Sequence, residues 1–176
     1  MRLPKLVRPL WLFTLAAGSL LISWGSVTYF DAEELPAFVI EKLPLPMEDV
    51  WLAALKAHVV AAAFCLPACI ALTLAFVLKR YPRVHRWLGR VTGTVVLFVL
   101  VPSGFYLSLF AKGGVLGTAG FMLSGAIVGV AMVRGVMTAR AGEYVAHRRF
   151  VMHVLGQMAV AVVSRAMMLG LDAAAI

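Results

Sequence analysis

Of the chain's 176 residues, 62% are hydrophobic and 14% charged, and the mean hydropathy is +0.95. A soluble domain of this length keeps about half its residues polar to cover itself, so that class is excluded. The formal net charge of +8 does not point to nucleic acid, because the basic residues sit in short clusters between apolar runs, without interleaved aromatic residues, as in loops that face an anionic cytoplasmic leaflet.

A helix needs roughly 20 mostly apolar residues to cross a hydrocarbon core about 30 Å thick. Five stretches qualify: Pro9 to Phe30, Val50 to Leu78, Leu88 to Phe110, Val115 to Met137 and Phe150 to Leu171. The fold class expected is all-α, a polytopic bundle of about five transmembrane helices in one domain. It divides into an N-terminal anchor helix (9–30), an outer loop (31–49) and a four-helix core (50–171). The first stretch follows Arg2, Lys5 and Arg8, as a signal peptide would. Its apolar run is long for one and no A-x-A site precedes Asp31, so an uncleaved helix is expected.

Charge sets the orientation. With the N-terminus inside, twelve basic residues face the cytoplasm: Arg2, Lys5, Arg8, Lys79, Arg80, Arg83, Arg86, Arg90, Arg134, Arg140, Arg148 and Arg149. Only Lys42, Lys56 and Lys112 lie outside, and Arg165 falls within a span. The positive-inside rule then places the N-terminus in and the C-terminus out, in a bacterial inner membrane crossed several times. In the outer loop, Pro36, Pro44 and Pro46 prevent a long helix. Phe38, Val39, Ile40, Leu43 and Leu45 lay that loop on the bundle mouth or the membrane surface.

Ionisable residues inside spans are costly, which makes them functional candidates. His58 lies about two turns inside the outer end of the second span, at the depth of Arg165 on the fifth. His85 and His147 stand at the inner entrances of the third and fifth spans, with His153 about two turns deeper than His147. The bland alternatives are headgroup binding among arginines for His85 and His147, a cross-helix hydrogen bond for His58 and His153, and snorkelling for Arg165. His58, Cys65 and Cys69 fall within about 20° of one helix face. Imidazole and thiols suit a soft metal such as Cu(I), although small thiols also simply fill core space. Pro67 is expected to kink this helix or free a carbonyl. Gly125-x-x-x-Gly129 reads as a close helix contact, within the bundle or between subunits, and Gly89 as a close approach at the start of the third span. There is no P-loop, nucleophile elbow, zincin motif or dinucleotide fingerprint, and no carboxylate within the spans, so hydrolase and transferase signatures are absent.

The loop His85-Arg86-Trp87-Leu88-Gly89-Arg90 and the helix opening His147-Arg148-Arg149-Phe150-Val151-Met152, which reaches Ser164-Arg165, join His58 in a pattern. It resembles an uncharacterised bacterial membrane family, domain-of-unknown-function 2306, over about Leu52 to Arg165. The chain departs from the family in having Ala62 for a glycine and Phe150 for a tryptophan. The resemblance implies a membrane bundle with no established activity, and makes His58, His85, His147 and Arg165 the motif positions. His153 and the cysteines are not among them.

The function expected first is a membrane redox protein holding b-type haem, or a related planar cofactor, between helices for electron transfer. Diagonal helices of an up-and-down bundle would present axial ligands. His85 with His147, or with His153, would serve on the inner side, and His58, seven residues past Trp51, with Met122, seven past Val115, on the outer side. Arg165 would neutralise a propionate, and His58 and Arg165 are expected to converge on one internal cavity. The alternative is a non-enzymatic subunit that binds a quinone, lipid or anion. A transporter is disfavoured by the lack of an inverted repeat. Membrane lipids are the partners expected, and a homo-oligomer or a larger membrane complex fits equally.

Overall fold

The computed structural model describes residues 7–30, 37–45 and 47–174, with side chains over 10–30, 39–45 and 47–167. Arg2, Lys5, Asp31, Pro36 and Pro46, used above for the first helix, the orientation and the outer loop, lie outside the described residues, as do the side chains of Arg8 and Phe38. Helix α1 (Val7–Gly25) runs into a 3-10 turn, Ser26–Phe30. A single turn, α2 (Ala37–Ile40), precedes α3 (Glu48–Thr73) and the short α4 (Ala75–Arg80). Helices α5 (Pro82–Val95) and α6 (Val101–Ser108) are joined without a break by a π turn, Val96–Leu100. Two long helices close the chain, α7 (Gly114–Arg140) and α8 (Tyr144–Ala174). Among the described residues five helical segments are long and apolar enough to cross a membrane: Leu10–Phe30, Glu48–Thr73, Pro82–Ser108, Gly114–Arg140 and Tyr144–Met167.

The spans match the apolar stretches, with differences at their ends. The third begins at Pro82, six residues before the apolar run, because proline is well placed in the first turn of a helix and the arginine-rich stretch behind it keeps helical propensity. The second stops at Thr73, where Leu74 turns to an extended conformation (φ −74°, ψ 122°); nothing in the local sequence explains that break. Helix α3 continues through Pro67. The π turn has a local cause. Pro102 has no N–H and its ring crowds the carbonyl four residues earlier, and a widened turn relieves that conflict; here the Val101 N–H reaches back to the Val96 carbonyl.

Because the connections are short, successive spans alternate in direction, and the basic residues between α3 and α5 and between α7 and α8 share one end, called here the basic end. The α7–α8 connection is a tight turn around Gly142, whose φ of +77° favours a residue without a Cβ. The Glu143 N–H bonds to the Thr138 carbonyl at 2.9 Å and the Gly142 N–H to the Ala139 carbonyl at 3.3 Å, the paired bonds that close a helix with a C-terminal glycine. At the opposite end the outer segment lies on the bundle mouth: Val39 is buried against Trp51 and Leu55, Lys42 Nζ donates to the Phe110 carbonyl, and Lys112 pairs with Glu41.

One core cluster takes Leu15 from α1, Cys65 and Ile70 from α3, Val96 and Leu100 from the π turn, Met132 from α7 and Val154 and Val162 from α8. The anchor helix is thus a fifth member of the packed core rather than an addition to a four-helix bundle. A Cβ on Gly18 of α1 would stand 2.4 Å from Val162 Cγ1. Gly125 and Gly129 work inside the bundle: Cβ atoms there would meet Phe105 at 3.2 Å and Val101 at 3.7 Å, both on α6. Gly89 does not behave as expected. No atom lies within 4 Å of the place its Cβ would occupy, so no neighbouring helix makes a close approach there.

Candidate functional site

At the basic end, His85 is in the first turns of α5 and His147 in the first turn of α8. Sixty-odd residues of chain separate them, yet the charge of His147 is felt at His85, as is that of Arg86. Helix α7 sets the position of His147, whose Nδ1 lies 2.8 Å from the Gly135 carbonyl oxygen. A carbonyl only accepts, so Nδ1 carries the proton and donates it, and in the neutral ring the Nε2 lone pair is left available. The approach is possible because residue 135 is glycine: a Cβ there would stand 3.3 Å from Val151 Cγ1 and 3.6 Å from Phe150 Cβ. On α5, His85 Nδ1 is buried with no hydrogen-bond partner. A buried polar nitrogen without a partner costs on the order of 1–3 kcal/mol unless a ligand or an ordered water meets it.

Nearer the middle of the bundle, His58 on α3 faces the start of α6. Ser103 Oγ is 2.6 Å from the Val99 carbonyl and 3.2 Å from that of Leu100, so its one proton is committed to the backbone. At 3.0 Å from His58 Nδ1 the hydroxyl therefore accepts, and His58 also holds its proton on Nδ1. The next residue, Gly104, leaves room for the ring: a Cβ on it would come within 3.1 Å of His58 Cε1. Both residues follow directly on the π turn, a feature common at functional positions. The immediate role of His58 is a cross-helix clamp between α3 and α6.

A family model described as "Predicted membrane protein (DUF2306)" matches residues 55–175. The chain belongs to that family. No curated protein and no solved structure matches it. The DUF2306 region takes in all four histidines, the cysteines and Arg165, whereas α1 lies before it.

Within this DUF2306 bundle the remaining candidates do not join the histidine pair. His153 is exposed on α8, six residues from His147 and so on a different face. Arg165 is exposed too, and its Nη1 donates to the Ala161 carbonyl of its own helix at 3.2 Å. His58 turns instead to Ser103, so no described contact brings His58 and Arg165 to one cavity. Met122 is half-buried on α7, and no described contact sets it against His58. Cys65 and Cys69 are free and buried, packed in the apolar core with Leu66 and Ile70, which is the space-filling use of a thiol. Among the described residues no three His, Cys, Asp or Glu are grouped to hold a metal ion.

Sequence reasoning missed several partners. Ser103, Gly104 and Gly135 position the histidines, and Ser124 Oγ donates to Gln157 Oε1 at 2.9 Å to tie α7 to α8. Serine and glutamine inside apolar spans were a usable signal, because such groups bond across helices. The Gly135 carbonyl left no signal, since every residue has one.

Proposed function

We propose that this membrane protein is a redox protein that holds b-type haem at its basic end between His85 and His147. The observation that carries the reading is that His147, oriented by the Gly135 carbonyl, stands at the same end of the bundle as His85, where its charge is felt. A ring whose Nδ1–H is bonded to a carbonyl presents a fixed and more basic Nε2, as axial and metal-ligating histidines commonly do. Arg86 beside His85 is a better-placed counter-charge for a propionate than Arg165. When bound, the iron would carry single electrons between its ferric and ferrous states. His85 and His147 would supply the nitrogens that hold the group, the Gly135 carbonyl would fix the His147 ring, and the apolar core would exclude water.

The test is the spectrum of the detergent-purified protein after incubation with haemin. Wild type should develop a Soret band that shifts on dithionite reduction. His85→Ala and His147→Ala should each lose the six-coordinate spectrum, while His153→Ala keeps it. A wild-type protein whose spectrum is the same as free haemin would overturn the proposal, as would an unchanged spectrum in both single variants. The alternative, a non-enzymatic binder of a quinone, lipid or anion, draws on the exposed Arg86, Arg90, Arg148 and Arg149 around the same histidines. Retention of an anionic phospholipid by colourless protein, lost on arginine substitution, would favour it.

A further inference from the structure

Several polar side chains inside the spans are met across helices. Ser23 Oγ reaches the Ala63 carbonyl at 3.3 Å, the His58 ring meets Ser103 at 3.0 Å, and the His147 ring meets the Gly135 carbonyl at 2.8 Å. His85 Nδ1 and the Thr92 hydroxyl have no partner, but protein seals them from anything outside. Two groups on α8 differ from all of these, because they lack a partner and are open. His153 is exposed, and among the described residues nothing bonds to its ring. Gln157 is half-buried and its Oε1 accepts from Ser124 Oγ at 2.9 Å. Among the described residues its NH2 group meets no acceptor, and it is not sealed inside the bundle.

The depth of these groups makes them costly. Arg149 and Arg165 bracket the apolar crossing of α8, and Gln157 is eight residues from each. At about 1.5 Å per residue it stands about 12 Å from either level, in the middle of the bilayer. His153 lies one turn nearer the basic end, about 40° away on the same face at 100° per residue. Val160, 57% exposed, and Gly156 share that face. No atom lies within 4 Å of the place a Cβ on Gly156 would take. Lipid does not meet Gln157 there. Acyl chains carry no donor or acceptor, and headgroup oxygens stay near the level of the arginines. A hydrogen-bonding group at mid-depth has to come from another polypeptide span.

We infer that this face of α8 joins two copies of the chain, parallel and related by a two-fold axis along the membrane normal, with the Gln157 amides bonded to each other across the interface. Both copies insert with the same orientation, so Gln157 faces Gln157 at one depth. Each amide brings a free donor and an oxygen with a second lone pair. Each NH2 group can therefore donate to the other copy's Oε1 while Ser124 keeps its own bond. His153, whose neutral ring has one donor and one acceptor, extends the polar contact by one turn. Gly156 lets the two α8 helices come close. A two-fold interface requires a surface complementary to itself, and this one carries donors and acceptors at matching depths. A partner of different sequence would have to bring that set; a second copy has it by symmetry. The inference stands apart from what the basic end binds, since His147 lies on a different face of α8.

The test follows association of the full chain in vesicles of phosphatidylethanolamine and phosphatidylglycerol, by energy transfer between donor-labelled and acceptor-labelled copies as lipid is added. Wild type should associate. His153→Leu, which removes no bond within the chain, should raise the dissociation constant several-fold, and Gln157→Leu on the order of tenfold or more. Ser124→Ala, which breaks only the tie between α7 and α8, should leave association in place and so separates the interface from a loss of folding. Val160→Cys should cross-link to its own copy on mild oxidation of membranes. Phe98→Cys, at a position 75% exposed on the third span, should not, and the native thiols stay buried. Wild type that remains monomeric at every lipid ratio, the face then covered by lipid or by a different chain, would overturn the inference. So would association unmoved by both leucine substitutions, or cross-linking of Phe98→Cys without that of Val160→Cys.

Discussion

Replacing Gly18 by alanine puts one methyl group between α1 and α8. The new Cβ would stand 2.4 Å from Val162 Cγ1, roughly 1 Å inside the ~3.5 Å at which carbon atoms begin to meet. Val162 is 7% exposed and belongs to the shared core. Valine on a helix has essentially one χ1 well, so it cannot simply swing aside, and α1 must move. Overpacking of this kind costs about 1–3 kcal/mol. For a chain of this length each kcal/mol lowers the melting temperature by about 2–4 °C, so Gly18→Ala should melt on the order of 2–12 °C below wild type in detergent, followed by circular dichroism. Val162→Ala removes the obstructing methyl groups. The double variant should therefore melt higher than the sum of the two single losses, with a favourable coupling of about 0.5–3 kcal/mol. Gly18→Ala melting within a degree of wild type, or strict additivity in the double variant, would refute the close approach and with it the place of α1 in the core.

Ser103→Ala should leave the His58 ring with the Leu100 carbonyl as its remaining acceptor and lower the melting temperature by the loss of one net hydrogen bond, about 0.5–1.5 kcal/mol. In 15N-labelled wild type the His58 ring should show the Nδ1–H tautomer; an Nε2–H tautomer would contradict the assignment of donor and acceptor. Reporter fusions after Arg80 should behave as cytoplasmic and fusions after Lys112 as periplasmic, because the basic bias sets the orientation; the reverse pair would invert the bundle.

The spans were legible in the sequence because a bilayer imposes one simple requirement, a long apolar helix, and the chain meets it five times. The basic clusters were legible for the same reason, since they could only be connections. That His85 and His147 stand at one end of the bundle could be read from their depth alone. Tertiary structure decided everything that depends on direction around a helix axis. In a span surrounded by lipid, both faces of a helix are apolar, so the usual alternation that reveals a buried side is missing. His153 lies about two turns deeper than His147 on the same helix, yet its face is turned outward while His147 meets α7. Arg165 and His58 share a depth, but one bonds its own helix and the other turns to Ser103. Cys65 and His58 share a face at ideal geometry, yet the ring is drawn to the residues behind a π turn and the thiol stays in the core. Gly89 and Gly135 look alike as letters. The fold gives one open space and the other a packed helix, because a missing side chain records that room is needed and not what fills it.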